Sequence, residues 1–179
     1  MSQVNATNAL TQIMNDIDLG PTQSIQFMFA KLQLAQSQLC KNQAESYMKQ
    51  IEEIQNEQKL CADMIAKARE LQQAAKNGTG DCSWDKKASV MPQDMVDFFN
   101  ERGLSFDTCG GAGDYVHNAD EWDYNLKTLT NYQEQVGTKT QTLMVYLQDF
   151  VGQYNSYLQG ANTQIANANQ TLTNIARGH

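Results

Sequence analysis

The chain has 179 residues, a formal net charge of −7, four cysteines and two histidines. That length fits one domain. The negative balance argues against a nucleic-acid partner, because neutralising phosphates takes clustered Lys and Arg. No stretch reaches the ~18 apolar residues of a membrane span, so no direct membrane insertion is expected.

Residues 1–20 read MSQVNATNALTQIMNDIDLG. They lack the basic start and apolar core of a cleavable secretory signal, and their small polar character predicts a flexible tail. A first long helix is predicted over 21–76, with Pro21 suited to its first position. Ile25, Met28, Leu32, Ala35 and Leu39 begin its apolar seam. After a shift of one position, Cys40, Ala44, Tyr47, Ile51, Ile54, Gln58, Cys61, Ile65, Ala68, Gln72 and Ala75 recur by fours and threes. This rhythm lines one helix face and calls for a partner helix. Leu60, Met64 and Leu71 widen the face, which predicts contact with more than one neighbour.

Asn77-Gly78-Thr79-Gly80 carries helix-stop and turn chemistry. Residues 77–120 then read as an irregular insert. One short helix is expected there, about 92–102, started by Met91-Pro92-Gln93-Asp94 and stopped by Gly103. Trp84 and Trp122 flank the insert and are expected to pack it against the long helices. The run Cys109-Gly110-Gly111-Ala112-Gly113-Asp114 has no Lys-Ser/Thr ending and follows no strong strand, so it does not read as a phosphate loop.

The second long helix is predicted over 121–176, with acidic residues suiting its start. Val136, Thr140, Leu143, Leu147, Phe150 and Tyr154 mark its seam, and Leu158, Ala161, Ile165, Ala168, Leu172 and Ile175 resume it after an extra step of four. From Asn131 onward the ionisable Asp, Glu, Lys, Arg and His residues are only Glu134, Lys139, Asp149, Arg177 and His179. The remaining off-seam positions are mostly Gln, Asn and Thr. A helix exposed in a monomer generally carries Lys and Glu in i,i+4 pairs, so this composition points to burial against other subunits or to the lining of a narrow passage. A solvated Asn/Gln-rich helix is the plainer alternative.

The expected fold is therefore all-α, one domain overall: two long helices in an antiparallel coiled-coil hairpin with a small irregular middle insert. The same seams would pair equally well between chains. Ile51, Ile54, Ile65, Leu143, Leu147, Phe150, Tyr154, Leu158, Ile165, Leu172 and Ile175 are the candidate residues of an assembly or chaperone interface.

No acid, base and nucleophile set is legible, so neither an enzyme nor a cofactor is expected. His117 with Cys82, Cys109 and Asp114 has no ligand spacing, and no metal site is expected. Cys40 and Cys61 lie roughly 31 Å apart along one helix and cannot bond to each other. Both sit on the seam, as buried thiols do. Cys82 and Cys109 share the non-helical middle, where a disulfide and two free thiols remain open alternatives.

Pro92-Gln93-Asp94-Met95-Val96-Asp97-Phe98-Phe99-Asn100-Glu101-Arg102-Gly103-Leu104 lies between a long helix and an Asn/Gln/Thr-rich coiled coil. In that layout, and at residue level in this segment, the chain resembles the filament proteins of bacterial type III secretion systems, the EspA and SseB type. The four cysteines and the Cys82–Cys109 insert depart from that pattern. The resemblance implies a hydrophilic translocator, held in the cytosol by a dedicated chaperone. Export without signal cleavage would bring it to the needle and translocon proteins. There it would assemble with itself into a hollow filament that conducts effectors to a host cell. A cytosolic coiled-coil scaffold or chaperone is the alternative; it accounts for the seams but not for the charge-poor second helix.

Overall fold

The computed structural model describes residues 2–18, 25–108, 111 and 113–178. Its elements are α1 (Ser2–Asp16), α2 (Ile25–Lys76), β1 (Ala88–Val90), α3 (Gln93–Glu101), β2 (Val116–Asn118) and α4 (Ala119–Ala176). The protein is all-α apart from one two-stranded ribbon, and α2 and α4 are the two arms of the expected hairpin. Pro21 lies outside the described residues.

Two expectations are corrected. Where a tail was predicted, Ser2–Asp16 is helical. Leu10, Ile13 and Met14, continued by Ile17, recur at three- and four-residue intervals and are half-buried, so this segment has an apolar face of its own. The chain divides into two compact units. The first is Met1–Ile51 with Thr142–His179, and the second is Glu52–Gln141. Trp84 is 78% exposed and, within an exposed turn of Ser83–Lys87, does not anchor the insert; Trp122 is fully buried, as expected.

The second unit holds the broad core. Here α2 and α4 run antiparallel, and the insert folds over them. Cys61, Met64, Ile65 and Ala68 from α2 meet Met95, Val96, Phe98 and Phe99 from α3 and Trp122 and Leu129 from α4. Burying each large apolar side chain contributes about 1.5–3 kcal/mol relative to leaving it in water. Met64 and Leu71, predicted to widen the face, do join this cluster, whereas Leu60 stays exposed.

Both internal helix stops close in the same way. The Leu104 N–H donates to Phe99 O (2.8 Å) and Gly103 N–H to Asn100 O (3.1 Å). Thr79 N–H donates to Ala74 O (2.9 Å) and Gly78 N–H to Ala75 O (3.2 Å). Gly103 and Gly78 have φ of 62° and 70°, the left-handed turn in which glycine escapes the Cβ penalty.

The ribbon was not expected. β1 and β2 pair antiparallel with Ala88 opposite Asn118 and Val90 opposite Val116. Ser89 Oγ ties it to α2 by donating to Leu71 O at 2.8 Å. Asn118 then caps α4: its Oδ1 accepts from Asp120 and Glu121 N–H, and Glu121 Oε2 accepts from Asn118 N–H at 2.7 Å. This reciprocal bonding is a capping box, and it aims both β2 and the first turn of α4.

A charged clamp fixes the end of α3. The Arg102 guanidinium bonds both carboxylate oxygens of Glu57 on α2, with Nη2–Oε2 at 2.9 Å. It also lies 4.0 Å over the Phe98 ring. Tyr132 on α4 donates its hydroxyl to Glu57 Oε1 at 2.8 Å. Arg102 holds the Glu57 carboxyl below the usual carboxylate range, while Glu57 raises Arg102 further above its ordinary value.

Candidate assembly surface

In the first unit α2 and α4 also run antiparallel, along a seam of small residues. Ala30, Ala35, Ser37, Cys40 and Ala44 are buried on α2, and Ala161 and Ala168 on α4. Small side chains let two helices approach closely, but they bury little apolar area per turn. A side chain at Gly160 would run into the Gln33 amide at 2.6 Å, which shows how close the approach is. Larger groups meet where Tyr47 packs on Phe150 (5.6 Å between ring centres) and Tyr146 (5.9 Å). Cys40 Sγ lies 3.8 Å from Gln153 Oε1, and burial, reinforced by Asp149, raises its thiol pKa.

The candidate interface residues divide by burial. Ile51 is buried and Ile54 half-buried on α2. Ile65 is buried in the core of the second unit, where it serves the fold. On α4, Leu143, Leu147, Phe150, Tyr154, Leu158 and Ile165 are half-buried. Leu172 and Ile175 are exposed, Ile175 at 64%.

Beside the seam lie apolar residues that its periodicity did not nominate. Met144, Val145, Tyr146 and Val151 on α4 are exposed, Val145 at 64%. Met48 on α2 is exposed as well, and with Val151, Ala44 and Tyr154 it lines a hollow of about 300 Å³. Ile25, Met28 and Phe29 are exposed at the start of α2, where with Met14 and Leu32 they line a second hollow of about 320 Å³. The signal for the α4 patch was available, since Met144-Val145-Tyr146 is an apolar run flanking a seam position. Between Lys139 and Arg177 the only Asp, Glu, Lys or Arg is Asp149. Isolated apolar residues are normal on any surface; several of them on a helix nearly free of charge make this stretch the candidate surface.

Among the described residues, no helix is long and apolar enough to cross a membrane. Cys61 is fully buried, and burial with the adjacent Glu57 charge pushes its thiol up to about 11, so it stays protonated at neutral pH. Cys82 is a buried free thiol, and Cys109 lies outside the described residues. The set imagined around His117 from sequence omitted two groups that the fold brings to it. Asp107, His117 and Glu121 lie together with ligand-type atoms within 4.8 Å of one another.

Comparison with protein-family models, with curated proteins and with solved structures gives no match. The two-helix architecture and the surface of its first unit therefore carry the functional reading.

Proposed function

We propose that this chain is a secreted, self-assembling structural subunit of a type III secretion filament, chaperone-bound before export and without catalytic activity. The observation that carries this reading is the exposed apolar patch of Met144 and Val151, seven residues apart on one face of α4, with exposed Val145 beside it, on a stretch with one charged residue. Its occupant is a second copy of the chain. Asn, Gln and Thr side chains pair with their like without repulsion, whereas a charged partner would find almost nothing to complement. If the patch on one copy meets a different surface on the next, the contact repeats without closing and gives an open filament. The same patch, exposed in the cytosol before export, would need a chaperone to cover it.

Sedimentation of the full chain beside Val145→Asp tests this. Val145 is mostly exposed, so the substitution spares the fold, and a helicity measurement checks that it does. Wild-type chain sedimenting as large assemblies while Val145→Asp stays small supports the reading. Equal behaviour of the two, whether both assemble or both remain dispersed, contradicts it; dispersal of both points to a coiled-coil scaffold.

A further inference from the structure

His117 on β2 is fully buried, and neither ring nitrogen has a hydrogen-bond partner. Trp122 and Asn125, one and two turns into α4, are fully buried as well, and Trp122 Nε1 and Asn125 Nδ2 also lack partners. Apart from Gln33 Oε1, every such orphaned side-chain atom among the described residues belongs to these three neighbours. Buried polar groups normally find a partner, so a concentration of orphans at one place asks what else they serve. Here two carboxylates converge on the imidazole: Asp107, Glu121 and His117 place ligand-type atoms within 4.8 Å of one another.

We propose that Asp107, His117 and Glu121 form a binding site for a divalent transition-metal ion of the zinc class. Metal–ligand bonds of about 2.0–2.2 Å put the ligand atoms of a tetrahedral site roughly 3.3–3.6 Å apart, within reach of small side-chain rotations here. The two carboxylates balance the charge of one divalent ion. The imidazole selects zinc and its neighbours over magnesium or calcium, which prefer all-oxygen sites. Three protein ligands leave coordination positions to solvent.

The surrounding structure already holds the ligands in place. Asn125 Oδ1 accepts the Asp107 backbone N–H at 2.7 Å, which anchors the loop that carries Asp107. Glu121 commits Oε2 to the Asn118 N–H of the capping box. The His117 ring is set edge-to-face against Trp122 (5.2 Å) and Phe106 (6.4 Å). A bound ion would join the loop after α3 to the ribbon and the first turn of α4, three pieces within fifteen residues of chain. Its role would be structural, with binding free energy adding to the stability of the second unit.

The test is a titration of the full chain with zinc chloride, read by calorimetry and by the imidazole NMR signals. The chain has only two histidines, His117 and the terminal His179, so the spectrum is simple. Saturable binding of one zinc per chain, displacing the His117 resonances and raising the melting temperature, is expected. Glu121→Gln keeps an oxygen for the capping bond and should weaken binding at least ~10-fold, as should Asp107→Asn; the nearby control Asp114→Asn should stay within about threefold. The proposal is overturned by no saturable binding up to about 1 mM zinc, a regime of only about −4 kcal/mol. It is equally overturned by zinc that moves only His179, or by binding unchanged in both ligand variants. Should Glu121→Gln fail to fold, Asp107→Asn and the wild-type NMR shifts decide alone.

Discussion

Replacing Glu57 by Gln probes the clamp that holds α3 onto the long helices. Glu57 accepts two bonds from Arg102 and one from Tyr132, and the Arg102 and Glu57 side chains are 16% and 25% exposed. Exposed ion pairs are worth about 0–1 kcal/mol, and breaking a fully buried pair costs about 3–5. This site lies between those limits. Gln keeps one acceptor and the volume but loses the charge and the bidentate fit, so a loss of about 2 kcal/mol is expected. For a chain of this size that corresponds to a fall of roughly 4–8 °C in Tm. The pH dependence adds a second signature. Glu57 is held below its unfolded pKa, so its contribution is full above the ordinary carboxylate value and is lost as pH falls through the depressed folded one. The gap between wild type and Glu57→Gln should therefore narrow on acidification. Thermal melts from neutral pH to about pH 3 measure both effects. A Glu57→Gln protein within ~0.3 kcal/mol of wild type at neutral pH, or a gap that does not change with pH, would refute the reasoning.

Further outcomes follow from the two helix seams. Cys61, fully buried with its thiol raised to about 11, should resist thiol-labelling reagents in the native protein at pH 8 and react only on unfolding; mass spectrometry of the labelled sites checks this, and rapid native labelling would contradict its placement. Ala161 is fully buried where α2 and α4 approach closely, so Ala161→Leu should destabilise by about 1–3 kcal/mol through overpacking, and a neutral result in chemical denaturation would mean the seam is looser than described.

The long helices were legible because heptad spacing is a local property, written continuously along each arm. The stops at Gly78 and Gly103 and the start at Pro92 were legible for the same reason: turn and cap chemistry depends on residues a few positions apart. The ribbon was not. Ala88-Ser89-Val90 and Val116-His117-Asn118 are three residues each, too short for a period of two to show. The Arg102–Glu57–Tyr132 clamp joins positions 45 and 75 residues apart, and no pattern along the chain marks such a pairing. Of the Asp107, His117 and Glu121 cluster, only the last two share a local spacing; Asp107 arrives through the loop after α3. The helical nature of Ser2–Asp16 was readable in Leu10, Ile13, Met14 and Ile17, but the surrounding polar residues masked it. The exposed apolar residues of α4 were half-readable: the scarcity of charge drew attention to this stretch, while the seam led to residues that the paired helix half-covers.

The proposed assembly requires that the exposed apolar residues of the first unit be covered by a second copy of the chain. Electron microscopy of the purified full chain over a rising concentration series, with any bound chaperone removed, tests this most directly. Filaments that appear above a threshold concentration are the expected result, whereas dispersed single particles at every concentration and salt condition would contradict it.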